Sequence, residues 1–137
     1  TDQLLQELMD SNDLSRVLSD NSACFREGDL PHGLQVLFDQ QDMSKTALAK
    51  ASGISEVYLH QVFSGRRTPS RDRLLCLCIG LGASTEETQS LLQQAHHAPL
   101  YARDKRDAVL LLFGLSHSLT LPEINDALFT AGAETLL

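Results

Sequence analysis

Positive charge is concentrated in one quarter of a chain that is acidic overall. Residues 44–75 carry six lysines and arginines against two acidic side chains, whereas all 137 residues together have a net charge of −7. Lysine and arginine neutralise phosphate groups, so a basic stretch of this kind suits a surface that binds a nucleic-acid backbone. A chance cluster on a solvated face would give the same local excess, and the total charge has the wrong sign for such binding.

Cysteine and histidine are not arranged as metal ligands. Cys24 stands alone, and Cys76 and Cys78 are two residues apart on a predicted helix. At about 100° per residue they point to roughly opposite sides, so they cannot close on one metal ion. We interpret them as small core residues of a protein from a reducing cytoplasm. The neighbouring His96 and His97 are interpreted as a frayed helix end rather than a metal site.

No pattern for catalysis or cofactor binding is present. The sequence has no paired carboxylates and no phosphate-cradling loop. Gly80 and Gly82 fall at a predicted helix end rather than after a strand, so they do not form a dinucleotide-binding loop. Ser116 and His117 have no fitting third partner. We therefore predict that the protein is not an enzyme and uses neither a cofactor nor a metal.

Hydrophobicity points to a protein without a membrane partner. Hydrophobic residues make up 42% of the chain, which is enough for one core. No apolar run reaches the length of about 18 residues that a membrane-spanning helix needs. Residues Thr1–Asp10 mix acids and amides with leucines, so we do not expect a signal peptide. These features predict a cytoplasmic protein.

Nearly every segment favours helix, and we predict an all-α fold. Leu, Ala, Gln and Glu dominate, and runs of β-branched residues are absent. Three units are expected. An N-terminal arm of short helices covers residues 1–30, a central domain covers 31–98, and a C-terminal helical hairpin over 99–137 packs on that domain.

Capping residues divide the central domain into short helices. Ser44 is predicted to begin a helix that Gly53 ends, because a glycine tolerates the left-handed cap conformation. Ser55 begins the next helix, which ends at Gly65. Ser70 begins a third helix after a short turn.

The first two of these helices have the pattern of a pair that crosses after a tight turn. Ala49 is small enough for a close approach, and Gly53 permits the turn. Ile54, Leu59 and Val62 would seat the second helix on the core. The residues then left facing outward are Glu56, Val57, Tyr58, His60, Gln61 and Ser64.

The pattern LAKASGIS, followed by an apolar-anchored helix and then by SGRRTPSRDRLLCL, resembles the Cro/repressor (XRE-type) helix-turn-helix family. The resemblance covers about residues 31–95, the five-helix unit of that fold. It implies a sequence-specific transcriptional regulator that binds double-stranded DNA as a homodimer. The recognition helix, about residues 55–64, would lie in the major groove.

The resemblance also implies which residues contact DNA. Gln61 is placed to bond the N6 and N7 atoms of adenine, Val57 to touch a thymine methyl group, and Glu56 to accept from cytosine N4. Lys45 and Ser55 are expected to contact phosphate, and the three arginines that follow the recognition helix to reach the backbone of the duplex. The full set of expected DNA-binding residues is Lys45, Ser55, Glu56, Val57, Tyr58, Gln61, Ser64, Arg66, Arg67 and Arg71.

Several of these residues have a purely structural alternative. Tyr58 fits equally well as a half-buried side chain against the first motif helix. Glu56 would repel phosphate unless it meets a base, or it serves only as a favourable charge at a helix N-terminus. Arg73, which is not among these residues, would pair with Asp72 or Asp107.

An internal repeat links the last part of the central domain to the C-terminal hairpin. Residues 69–100 resemble residues 105–137, and in each a long apolar helix is followed by a capped turn and an amphipathic helix. We expect the second hairpin to stack on the first, although chance similarity between two amphipathic hairpins is the alternative. The aligned pairs are Arg71-Asp72 with Arg106-Asp107, Ser84 and Glu87 with Thr120 and Glu123, and Leu92 with Leu128.

Two functions remain open at this point. In the first, the protein is a dimeric DNA-binding regulator whose apolar run Val109–Phe113 either mediates dimerisation or forms the buried centre of the hairpin. In the second, the helix-turn-helix is a scaffold for protein–protein interaction without DNA binding. The overall acidity and the position of Glu56 favour the second function.

Overall fold

A computed structural model describes residues 29–115 and 119–136, with side chains through residue 112 and again from residue 119. The expected N-terminal helices, Cys24 and the Ser116–His117 pair lie outside these residues. All regular structure in the described part is helical, which confirms the all-α prediction. The seven α-helices are α1 (Leu30–Asp39), α2 (Lys45–Ser52), α3 (Glu56–Phe63), α4 (Arg71–Leu81), α5 (Thr85–Gln94), α6 (Lys105–Val109) and α7 (Leu121–Thr130), and a π-helical segment, Leu110–Leu115, continues α6.

Local capping sets the helix boundaries as predicted. The hydroxyls of Ser44, Ser55 and Ser70 accept hydrogen bonds from backbone N–H groups in the first turns of α2, α3 and α4, at 3.1 to 3.3 Å. Gly53 ends α2 with a φ of 65°, a left-handed conformation that a residue with a Cβ adopts at a cost. These caps fix the tight turn between α2 and α3.

The core is built around α4. Its leucines and both of its cysteines are buried, so Cys76 and Cys78 are core residues as predicted. Burial raises the pKa of the Cys76 thiol to about 11 and that of Cys78 to about 12, which keeps both protonated at neutral pH. Helix α2 lies close against α4, and a Cβ added to Gly80 would overlap Ser52 Oγ. Only glycine therefore allows this approach of the two helices.

Helix α5 ends in a cap formed by the residues that follow it. Its last residue is Gln94, and His96 follows with a positive φ of 60°. The N–H groups of His96 and His97 donate to carbonyls in the last turn of α5, and His97 Nε2 lies 2.8 Å from the carbonyl oxygen of Pro69. The interpretation of a frayed histidine end is therefore wrong, because both residues belong to an ordered cap.

The internal repeat corresponds to two units of similar construction. We call residues 69–100, with α4 and α5, the first unit, and residues 105–136, with α6, the π-helical segment and α7, the second unit. None of the helices in the described residues has the length and apolar character needed to cross a membrane. The division of the chain into three domains stays a prediction.

Two crossed ion pairs join the first helices of the two units. Arg71 binds Asp107 with an N–O distance of 2.9 Å, and Arg106 binds Asp72 at the same distance. Each unit thus supplies the arginine of one pair and the aspartate of the other. Both arginines make two hydrogen bonds to their carboxylate, a geometry that adds strength and directionality.

A second set of matched bonds closes each unit. The side-chain amide of Gln89 bonds both the N–H and the carbonyl of Leu100, at 2.7 and 3.0 Å. The amide of Asn125 does the same for Leu136, at 2.7 and 2.9 Å. The arginines of the two ion pairs also bind the residues just before these leucines. Arg71 donates to the carbonyls of Ala98 and Pro99. Arg106 donates to the carbonyls of Glu134 and Thr135.

Candidate nucleic-acid interface

Helix α3 has a buried apolar face on one side and an exposed face on the other. Leu59 and Val62 are fully buried and hold the helix against the core, where it contacts α1 and α2. On the opposite side Val57 is 69% exposed, the largest exposed fraction of any large hydrophobic residue on α3. Burying Val57 against a partner would remove apolar surface from water, which is favourable. Val57 is therefore accessible on the outward face of α3.

The chain leaves α3 in a fixed direction. The carbonyl of Gln61 accepts hydrogen bonds from the Ser64 hydroxyl and from the N–H groups of Arg66 and Arg67, at 2.9 to 3.2 Å. Gly65 adopts a positive φ of 81° in the middle of this turn. Both arginines are exposed and stand directly beyond the end of α3. Ser64 is thus used locally, and its hydroxyl stabilises the turn that carries the arginines.

Tyr58 lies between α3 and α4 as a half-buried ring. The guanidinium carbons of Arg67 and Arg73 lie 5.2 and 4.5 Å from its ring centroid. Within the described residues Arg73 pairs with neither Asp72 nor Asp107, whose partners are Arg106 and Arg71. The structural alternative proposed for Arg73 is therefore wrong. The one proposed for Tyr58 holds in part, since the ring is half-buried but packs beside arginines.

The sequence of this part of the chain matches a known domain family. A family model described as a helix-turn-helix domain covers residues 32–91. These residues form a helix-turn-helix domain. The match confirms the predicted helix-turn-helix and nearly coincides with the expected range of about 31–95. Neither the curated proteins nor the solved structures include a match to the chain.

Within the helix-turn-helix domain, Glu56 is held by neighbours. Its carboxylate accepts a hydrogen bond from the Thr46 hydroxyl of α2 at 3.1 Å and lies 3.7 Å from His60 Nε2. The expectation was that Glu56 accepts from cytosine N4. In the described contacts its carboxylate instead links the two motif helices and stands at the N-terminus of α3, where a negative charge is favourable.

Lys45 does not stand free at the start of α2. Its ammonium nitrogen lies 3.7 Å from the centroid of the Phe63 ring and 4.9 Å from that of Phe38. The two rings meet edge to face, with centroids 5.7 Å apart. Burial lowers the pKa of Lys45, and the nearby Asp39 acts in the opposite direction. The aromatic site stabilises the ammonium group of Lys45 in this position, and its expected phosphate contact stays a prediction.

Arg71 was predicted to contact DNA, but its side chain is bound within the protein. Its guanidinium donates to both carboxylate oxygens of Asp107 and to the carbonyls of Ala98 and Pro99. These bonds hold the two units together. The sequence could not identify this partner, because the two residues are distant along the chain and only the stacking of the units brings them together.

Proposed function

We propose that the protein is a sequence-specific DNA-binding transcriptional regulator of bacterial type, with α3 inserted in the major groove. The observation that carries the proposal is the outward face of α3 within a helix-turn-helix domain. This face exposes Val57 and is followed by two arginines, Arg66 and Arg67, that have no carboxylate partner among the described residues. Helix-turn-helix domains place such a second helix against base edges.

The proposed contacts divide into base contacts and backbone contacts. Gln61 and Val57 face the bases, where an amide can bond adenine and a valine can touch a thymine methyl group. Arg66 and Arg67 bind phosphates and supply affinity that does not depend on sequence. Ser55 stands at the N-terminus of α3, where N–H groups favour a phosphate oxygen.

A homodimer is part of the proposal, because helix-turn-helix dimers bind two half-sites separated by about one turn of DNA. The second unit is the proposed dimerisation region. In the run Val109–Phe113, Leu110 is buried whereas Leu112 is 62% exposed. On α7, Phe129 is 78% exposed. Part of this run therefore belongs to the core of the second unit, and the exposed residues supply the apolar surface that a second copy would cover.

Selection of bound sequences from random duplex DNA tests the proposal. The full chain should enrich one site with two-fold symmetry, and sedimentation should show a dimer on that site. The variant Val57→Asp tests whether the enrichment depends on α3. It changes an exposed residue, so it should keep the melting temperature while losing enrichment. If the wild-type chain retains no duplex above background at low salt, the proposal is wrong.

The second candidate is a helix-turn-helix scaffold that binds another protein and not DNA. The net charge of −7 and the exposed carboxylate of Glu56 at the start of α3 favour it. Binding to labelled duplex DNA at two salt concentrations separates the candidates. A DNA-binding protein loses affinity steeply as salt rises, whereas the scaffold binds at neither concentration.

A further inference from the structure

Two positive charges share one aromatic ring at the junction of α3 and α4. Arg67 comes from the turn after α3 and Arg73 from the first turn of α4, and both guanidinium groups lie within 5.2 Å of the Tyr58 ring centroid. A cation over an aromatic face is stabilised by the ring. Two cations beside the same ring repel each other, so binding of an anion between them would be favourable.

The arginines of this region fall into two groups. Arg71 and Arg106 each bind a carboxylate at 2.9 Å and are half-buried. Arg67 and Arg73 are exposed, and the described residues place no carboxylate within ion-pair distance of either one. A guanidinium that stacks by its face keeps its edge donors free for bidentate bonding to an anion. The second group is therefore prepared for an external anion.

The stacked arginine also borders a cleft. A cavity of about 280 Å³ is lined by Arg73 and Tyr58 together with Gly53, Ile54 and Ser55. Arg73 thus forms the α4 side of a cleft whose other side is the turn between the two motif helices. A phosphate group in this cleft would lie next to the helix that is proposed to enter the major groove.

We propose that Arg73, stacked on Tyr58, binds a phosphate of the DNA backbone at this cleft and acts together with Arg67. The inference rests on the proposed function and adds to it a residue that follows the recognition helix on a different element. Because Arg73 belongs to α4, the contact anchors the rigid core of the domain to the duplex. Tyr58 is a positioning residue that orients the guanidinium.

The salt dependence of DNA binding tests this contact in the full chain. Arg73→Gln should reduce the slope of log K against log salt by about one, the change for one lost phosphate contact. Arg103→Gln is the matched control, because Arg103 is exposed but lies outside the helix-turn-helix domain, and its slope should equal that of wild type. Equal slopes for Arg73→Gln and wild type would overturn the inference.

A second measurement uses the wild-type protein and so does not depend on how a variant folds. Phenylglyoxal modifies accessible arginines, and mass spectrometry reports each site. Bound duplex should protect Arg73 and Arg67 several-fold while Arg103 keeps reacting at its free rate. If Arg73 reacts equally fast in free and DNA-bound protein, the inference is wrong although the proposed function stands. If the wild-type chain shows no salt-dependent DNA binding, both fail together.

Discussion

The two units of the repeat have the same set of polar bonds but differ in the packing of their first helices. Both contain an arginine that crosses to the other unit and a side-chain amide that closes on a leucine. Their first helices differ. Helix α4 is a continuous α-helix covered by α2, whereas α6 continues as a π-helical segment. The alignment of Arg71 with Arg106 also pairs Leu77, which is fully buried, with Leu112, which is 62% exposed.

The comparison shows that polar bonds and apolar packing vary independently in the two units. The same polar bonds occur in both units although the apolar packing of the two units differs. The apolar surface is shielded only where another helix lies over it. The first unit forms the centre of the helix-turn-helix core, whereas the second unit has large hydrophobic side chains, Leu112 and Phe129, exposed on its surface.

The largest effect is expected from the more buried of the two crossed ion pairs. Asp107→Ala leaves Arg71 without its carboxylate, and removing one partner of a buried pair costs about 3–5 kcal/mol of the free energy of unfolding. The Asp107 side chain is only 7% exposed, whereas that of Asp72 is 38% exposed. Asp72→Ala should therefore cost less, about 1 kcal/mol. Urea unfolding of both variants measures the difference, and equal losses would contradict the asymmetry.

The next largest loss of stability is expected at the aligned leucines, Leu77 and Leu112. Leu77→Ala creates a cavity in the core of the first unit and should cost about 2–5 kcal/mol. Leu112→Ala changes an exposed side chain and should cost the folded chain no more than about 0.5 kcal/mol. Thermal unfolding at low protein concentration compares the two. A large loss for Leu112→Ala under those conditions would show that its surface is already covered within one chain.

The sequence predicted the features that depend on neighbouring residues. The serine caps of α2, α3 and α4 and the left-handed Gly53 were found because each bond spans only a few positions. The partners of Arg71 and Lys45 were not found, because they depend on how distant segments pack. The ordered cap at the end of α5 was also missed, because the interpretation of His96 and His97 as a frayed end did not include the left-handed conformation of His96.

The smallest effect on stability is expected from the side-chain bonds that cap the first turn of α7. In the second unit Glu123 accepts from the N–H and the hydroxyl of Thr120, and these bonds lower the pKa of Glu123. A carboxyl group with a lowered folded-state pKa stabilises the protein above its unfolded pKa and loses that contribution as pH falls through the folded value. Glu123→Gln should therefore reduce stability slightly at pH 7 and not at about pH 2. Melting temperatures at the two pH values show whether the difference disappears in acid, and a constant difference would exclude this cause.

The most direct test of the central claim, that α3 reads DNA, is the effect of Gln61→Ala on two affinities. The substitution retains helix propensity, so the melting temperature should be close to that of wild type. A bidentate base contact contributes about 1–3 kcal/mol of discrimination, so affinity for the selected site should fall roughly 5- to 150-fold. Affinity for random duplex should stay constant, because it rests on the arginines. The two affinities should therefore converge, and a folded variant that keeps its full preference for the selected site would contradict the account.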